Sequence, residues 1–240
     1  MSDRIEAADD FRQNLLEVDI LLQEAGTSGD NKSKLAVMNK SAVLLLMGKF
    51  EAFLESVVAD YVYKVEGIGA TASQLPDYLL LQHSIETVKF LEEKVNKGSL
   101  KEAKLLLKDL GCLWTEVASC DSLKIDCAFD YGKHGEGAIG KLFKRIGFDE
   151  LFNRVQIHDD SGDYLGQEPA IVDVAGAVNS LTHIRNNILH EDKSPSLTTT
   201  WVRQHCKLLA RFADAIVKVL QKSLDEIKTF GNPNGDVAGE

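Results

Sequence analysis

Apolar residues recur at helical spacing through most of this chain. From Asp10 to Ala25, Phe11, Leu15, Leu16, Ile20 and Leu22 recur at roughly helical spacing, which predicts an amphipathic helix. The stretch "GTSGDNKS" ends it with turn chemistry. A longer pattern runs from near Ser33 to about Val65, where Val43, Leu46, Met47, Phe50, Phe53, Leu54, Val57, Val58, Tyr61 and Val62 make one broad apolar face. That face predicts a core helix. "GIGATASQLPD" interrupts it, and shorter helical runs follow over residues 76–95 and 99–110.

The middle of the chain is less regular. Residues 111–137 include "LKIDCAFDYGKHGEG", which has loop chemistry and room for a short extended piece. Helical patterning resumes in "AIGKLFKRIG" and "FDELFNRV", and "HDDSGDYLGQ" reads as a polar surface loop. Residues from about 111 to 165 are therefore expected to form an irregular insertion. Pro169 fits a first helical position ahead of "AIVDVAGAVNSLTHIRNNILH". After "EDKSPS", a stripe of Trp201, Leu208, Leu209, Phe212, Ile216, Val219, Leu220 and Leu224 predicts a long last helix. Residues 231–240 are expected to be disordered. No internal repeat stands out. The expected fold is all-α, an antiparallel helical bundle forming one domain over residues 1–230.

Composition narrows the picture. With 240 residues and 44% hydrophobic content the chain can bury a sizeable core, and its 4 prolines agree with helices. A net charge of -10 argues against a protein that coats nucleic acid by general electrostatics, though a small basic groove on an acidic body is compatible with it. The four cysteines, Cys112, Cys120, Cys127 and Cys206, form no CxxC pair, so neither a zinc knuckle nor a redox pair is suggested. The polar start "MSDRIEAADD" is no signal peptide, and no apolar run approaches the length of about 18 residues needed to span a membrane. A soluble, cytoplasmic protein with reduced thiols is expected.

Several motifs fall away on chemical grounds. "GEGAIGKL" comes close to a phosphate-binding P-loop, but Leu142 stands where a hydroxyl must hold magnesium, and no buried strand precedes it. A Gly-rich turn entering a helix explains it better. His83, His134, His158 and His205 lie in different segments without ligand spacing and read as surface or satisfied polar residues. No Gly-x-Ser-x-Gly elbow anchors a hydrolase triad.

One stretch remains, "SLTHIRNNILHEDKS" at residues 180–194. Arg185 and His190 close to a helix C-terminus suit its dipole and last carbonyls, which is one complete reading. The other is RNA cleavage. A ribose 2′-hydroxyl lies beside its own phosphate, so the protein needs only a proton-transfer group and a fixed cation for charge developing on phosphorus. His190 and Arg185 are of the right types, and Asn186 could orient the histidine or touch phosphate. No metal or other cofactor is required. Five residues of straight helix leave Arg185 and His190 about 140° apart. They converge only if the helix loosens, if the arginine reaches round, or if two copies meet across a dimer.

"RNNILH" resembles the signature of the HEPN superfamily, Arg-x4-His at the end of a penultimate core helix. "LLLMGKFEAFLESVVADYV", with its Phe50–Glu51 pair, and "YGKHGEGAIGKLFKRIGFDELF" resemble the RiboL-PSP-like branch. The resemblance implies an all-α homodimer with two motifs facing across a cleft, and a metal-independent endoribonuclease of the kind that serves as a bacterial toxin or phage-defence effector. Arg185 would then stabilise the phosphorane, His190 transfer protons, Asn186 assist and Glu51 support, with Arg185 as its partner. Lys193, Arg203, Lys207 and Arg211 are the candidate RNA-facing cations. The last three share a helix face by their i, i+4 spacing, and an ordinary solvated face explains them equally. The acidity of the chain suits restraint on indiscriminate RNA binding or a basic antitoxin, so an antitoxin or sensor protein is a further expected partner. Competing readings are a non-catalytic HEPN module that binds RNA, nucleotide or protein, and a subunit of a nucleotidyl-modification system whose motif a partner holds silent.

Overall fold

The computed structural model describes residues 4–29, 31–114, 123–130, 134–159, 170–190 and 196–231. Among them are eight helices and no strand: α1 (Ala7–Gly26), α2 (Lys32–Ile68), α3 (Asp77–Asn96), α4 (Leu100–Leu113), α5 (Glu136–Lys144), α6 (Leu151–Arg154), α7 (Val174–His190) and α8 (Thr199–Gly231). A 3-10 turn at Ala72–Gln74 links α2 to α3.

The backbone of the bundle is α2, 37 residues long and so about 55 Å from end to end. The Asn31 side chain accepts from the Lys34 N–H at 3.0 Å and starts it. Gly69, left-handed at φ 66°, ends it. Between them Val43, Leu46, Phe50, Leu54, Val57 and Tyr61 are fully buried, which is the stripe the sequence pattern predicts. Helices α1, α8 and α7 pack along it. An aromatic cluster fastens the three long helices: Phe11 stacks on Phe53 at 5.1 Å, and Phe50 meets Phe212 at 6.3 Å. Asn39, wholly buried, donates to the Leu197 carbonyl at 2.8 Å and accepts from Thr199 Oγ1 at 3.1 Å, fixing the lead into α8 against α2.

One expectation changes. The helix that carries the motif starts at Val174, not just after Pro169. Residues 170–172 are extended instead: Ile171 forms an antiparallel bridge with His158, and the Val172 N–H donates to the Ile157 carbonyl at 2.8 Å. Asp173 then caps α7, its Oδ1 accepting from the Gly176 N–H at 2.8 Å. A Cβ on residue 176 would stand 2.2 Å from that carboxylate, so glycine there lets the cap keep this side-chain orientation. Replacing Asp173 with Ala is expected to cost about 1 kcal/mol of stability, read as a lower urea midpoint with an unchanged slope. Pro169 and the tail beyond residue 231 lie outside the described residues.

Part of the irregular middle stretch packs into the common core. Ile139, Leu142, Phe143, Ile146, Leu151 and Val155 are buried in the common core. Residues 123–130 run without regular secondary structure but are tied down by side chains. Glu66 accepts from the Leu123 N–H at 2.5 Å, and Glu55 from the Phe129 N–H at 2.8 Å. Arg145 donates to the carbonyls of Asp126 and Ala128 at 3.1 and 2.5 Å and to Asp130 Oδ1 at 2.7 Å. These contacts satisfy backbone groups that no helix or sheet takes up.

Candidate active site

The last turns of α7 cross the middle of α2. Val174, Val178 and Leu181 face the core, and Arg185 continues that face one turn further on. There it meets Glu51, which follows the buried Phe50 on α2. Arg185 Nη2 lies 3.9 Å from Glu51 Oε2, and both side chains are about four-fifths buried. Arg185 Nη1 also donates to Asn186 Oδ1 at 3.4 Å. An arginine in this setting presents a part-buried cation, the type of group that charge building up on a phosphate oxygen requires.

The structure adds a residue that spacing did not single out. His134, ahead of α5, places Nδ1 2.9 Å from Glu51 Oε1, off the line of a good hydrogen bond, and both atoms are buried. Glu51 therefore stands between Arg185 and His134. The turn that carries His134 is fastened to α7: Asn179 Oδ1 accepts from the Glu136 N–H at 3.0 Å, while Asn179 Nδ2 donates to Glu136 Oε2 at 3.0 Å. Gly135 makes this possible. Its φ is 88°, and a Cβ there would approach Asn179 Oδ1 to 3.0 Å. The glycines of "GEGAIGKL" thus form a turn entering α5. The only sequence signal for His134 was its place beside that turn, since its approach to Glu51 is tertiary.

His190 is placed differently. It is the last residue of α7 and exposed, on a face turned away from Arg185. One chain therefore joins Arg185, Asn186, Glu51 and His134, and leaves His190 outside the group. Of the remaining cations, Arg203 comes within 3.9 Å of Asp19 on α1. With Lys207 it borders an apolar groove formed by Leu15, Leu16, Leu22 and Cys206. Arg211 donates to the His158 carbonyl at 2.6 Å. Lys193 lies outside the described residues.

Other titratable groups have structural partners. His83 is buried, accepts from the Lys124 N–H on Nδ1 at 2.8 Å and reaches Thr87 from Nε2 at 3.3 Å. Burial, and then the charge of Lys124, hold its pKa below the usual histidine range. His205 lies against the Trp201 ring, with 3.8 Å between centroids. Burial pushes the thiols of Cys127 and Cys206 up to about 11, so both are poor nucleophiles at neutral pH. Among the described residues no His, Cys or carboxylate groups converge as a metal site, and no helix is long and apolar enough to cross a membrane.

An all-helical bundle whose penultimate helix ends in Arg-x4-His defines a HEPN-type domain. The chain belongs to the RiboL-PSP-HEPN family, whose model matches residues 9–234. Domains of the superfamily are often nucleases or RNA-related and commonly dimerise, and some members are non-catalytic. No curated protein and no solved structure matches the chain.

Proposed function

We propose that this protein is a metal-independent endoribonuclease, acting as a bacterial toxin or defence effector, with a composite active site built by two copies. The observation that carries this reading is the split within α7. Arg185 lies part-buried beside Glu51, 3.9 Å away, while His190 stands exposed about 140° round the helix. A two-fold axis beside the end of α7 supplies each Arg185 with a histidine from the other copy.

In this scheme the scissile phosphate docks on Arg185. His190 of one motif takes the proton from the ribose 2′-oxygen as that oxygen attacks phosphorus. The bond from phosphorus to the 5′-oxygen breaks, that oxygen takes a proton from water while His190 returns its own to solvent, and a 2′,3′-cyclic phosphate remains. The nucleophile belongs to the substrate, so no metal is needed to generate one. Arg185 stabilises the phosphorane, Asn186 orients the arginine, and Glu51 positions it. Lys207 and Lys193 are the candidates to steer RNA, with Arg203 and Arg211 as weaker ones, since both already have protein partners.

The test is cleavage of end-labelled mixed RNA in EDTA, wild type beside His190→Ala. Cyclic-phosphate ends from the wild type alone support the reading. Equal cleavage by both proteins, or cleavage only with added metal, contradicts it. The net charge of -10 favours a second reading, a non-catalytic HEPN module that binds a protein partner. That module would bind without forming product.

A further inference from the structure

The α3–α4 hairpin carries an apolar face that the other described residues leave exposed. Helix α3 turns Leu79, Leu80, His83 and Thr87 inward. On another side Leu81, Ile85, Val88 and Val95 follow one another at i, i+4, i+7 and i+14, within about 80° of arc. That is the stripe of a helix built to be packed against. Helix α4 repeats the pattern one heptad apart, with Leu100, Leu107 and then Trp114 just past its end. These seven side chains range from 49% exposed at Val88 to 63% at Leu100.

Two contacts place both stripes on one side of the hairpin. Lys94 and Glu102 pair at 2.5 Å along one edge of the seam between the helices. Trp114 Nε1 donates to Ser84 Oγ at 3.1 Å along the other. In antiparallel helices both stripes fall on the Trp114 edge, so they form one continuous surface.

We propose that this face binds the same face of a second copy, forming a four-helix bundle about a two-fold axis. Area is the first argument. Seven large side chains roughly half exposed present on the order of 600 Å2. That is at the top of what a monomer leaves bare, and close to the roughly 800 Å2 each partner gives a standard interface. Charge is the second. Residues 77–114 contain six lysines and six acidic residues, so the hairpin is neutral and the remainder of the chain carries the whole net charge of -10. A neutral hairpin can meet its own copy without the repulsion that the acidic body would impose.

The contact is distinct from the proposed active site. The hairpin meets the body beside Leu123, which is bound to Glu66 near the end of α2. Glu51 lies 15 residues earlier, about 22 Å back along that helix. Helix α7 therefore remains available for its own two-fold contact, and the two contacts together assemble four copies or more.

The test is sedimentation of the full chain at micromolar concentration, wild type beside Ile85→Glu/Leu107→Glu, with Ile85→Gln/Leu107→Gln as a neutral second variant. Both positions are half exposed, so helix content and Tm are expected to hold. The assembly mass is expected to fall by half, its dissociation constant to rise at least a hundredfold, and RNA cleavage per chain to stay unchanged. A dimeric wild type that becomes monomeric in the variants upholds the hairpin contact and removes the α7 dimer. A variant assembly as large as the wild type overturns the hairpin contact, as does a wild type still monomeric at about 100 μM or one that associates only with a different protein.

Discussion

Arg185→Ala is expected to lower single-turnover RNA cleavage by about a thousandfold. The size follows from the role. Removing one preorganised donor to a developing oxyanion costs roughly 3–4 kcal/mol, a factor of about 100 to 1,000 in rate, and in the proposed mechanism Arg185 would supply a forked donor and a full charge. Arg185→Lys keeps the charge but loses the planar fork, so it is expected to recover only part of the rate. The melting temperature should change little, because the approach of Arg185 to Glu51, at 3.9 Å, is a loose one. Cleavage within tenfold of wild type would remove Arg185 from the chemistry.

The second large effect is on stability, and the adjacent pair Phe50 and Glu51 separates it from function. Phe50→Ala is expected to destabilise the fold by about 3–5 kcal/mol, because it empties a site bounded by Phe11, Phe53 and Phe212 in a fully buried cluster. For a chain of this size the Tm should fall by roughly 10 °C. Glu51→Ala sits one residue along the same helix but faces Arg185 and His134. It should leave Tm within a few degrees while cleavage falls at least tenfold, because the arginine loses its positioning partner. Calorimetry of the two variants beside their cleavage rates checks both halves. Equal loss of stability in both would make Glu51 structural.

The long helices were legible because one periodic signal decides them. In α2 and α8 apolar residues repeat over many turns, and burial follows the repeat. The start of α7 was misread because Ile171, Val172 and Val174 are apolar whether extended or helical. What decides between them is the pairing of residues 170–172 with 157–159 and the Asp173 cap. "FDELFNRV" yields only the single turn Leu151–Arg154, entered through Glu150 at a φ of 56°. The stretch 123–130 was ambiguous for a related reason. Its conformation is set by Glu55, Glu66 and Arg145, each distant or local only in space.

The site divides in the same way. Arg185, Asn186 and His190 form a local motif that can be read from spacing. Glu51 entered through family resemblance alone, and His134 was passed over because no spacing links a loop histidine to a carboxylate on α2. The 140° separation, in contrast, was visible from helix geometry before any coordinates, and the composite site rests on it.

The most direct test of that site is a mixing experiment. Arg185→Ala and His190→Ala proteins are prepared separately, shown to be inactive, then mixed, allowed to exchange subunits and assayed for cyclic-phosphate products in EDTA. A mixed dimer contains one intact Arg185 and one intact His190 on opposite copies. A site shared across the two-fold axis should therefore recover roughly a quarter of wild-type activity, since half of the dimers are mixed and each completes one of two sites. No recovery, despite demonstrated exchange, would contradict a composite active site.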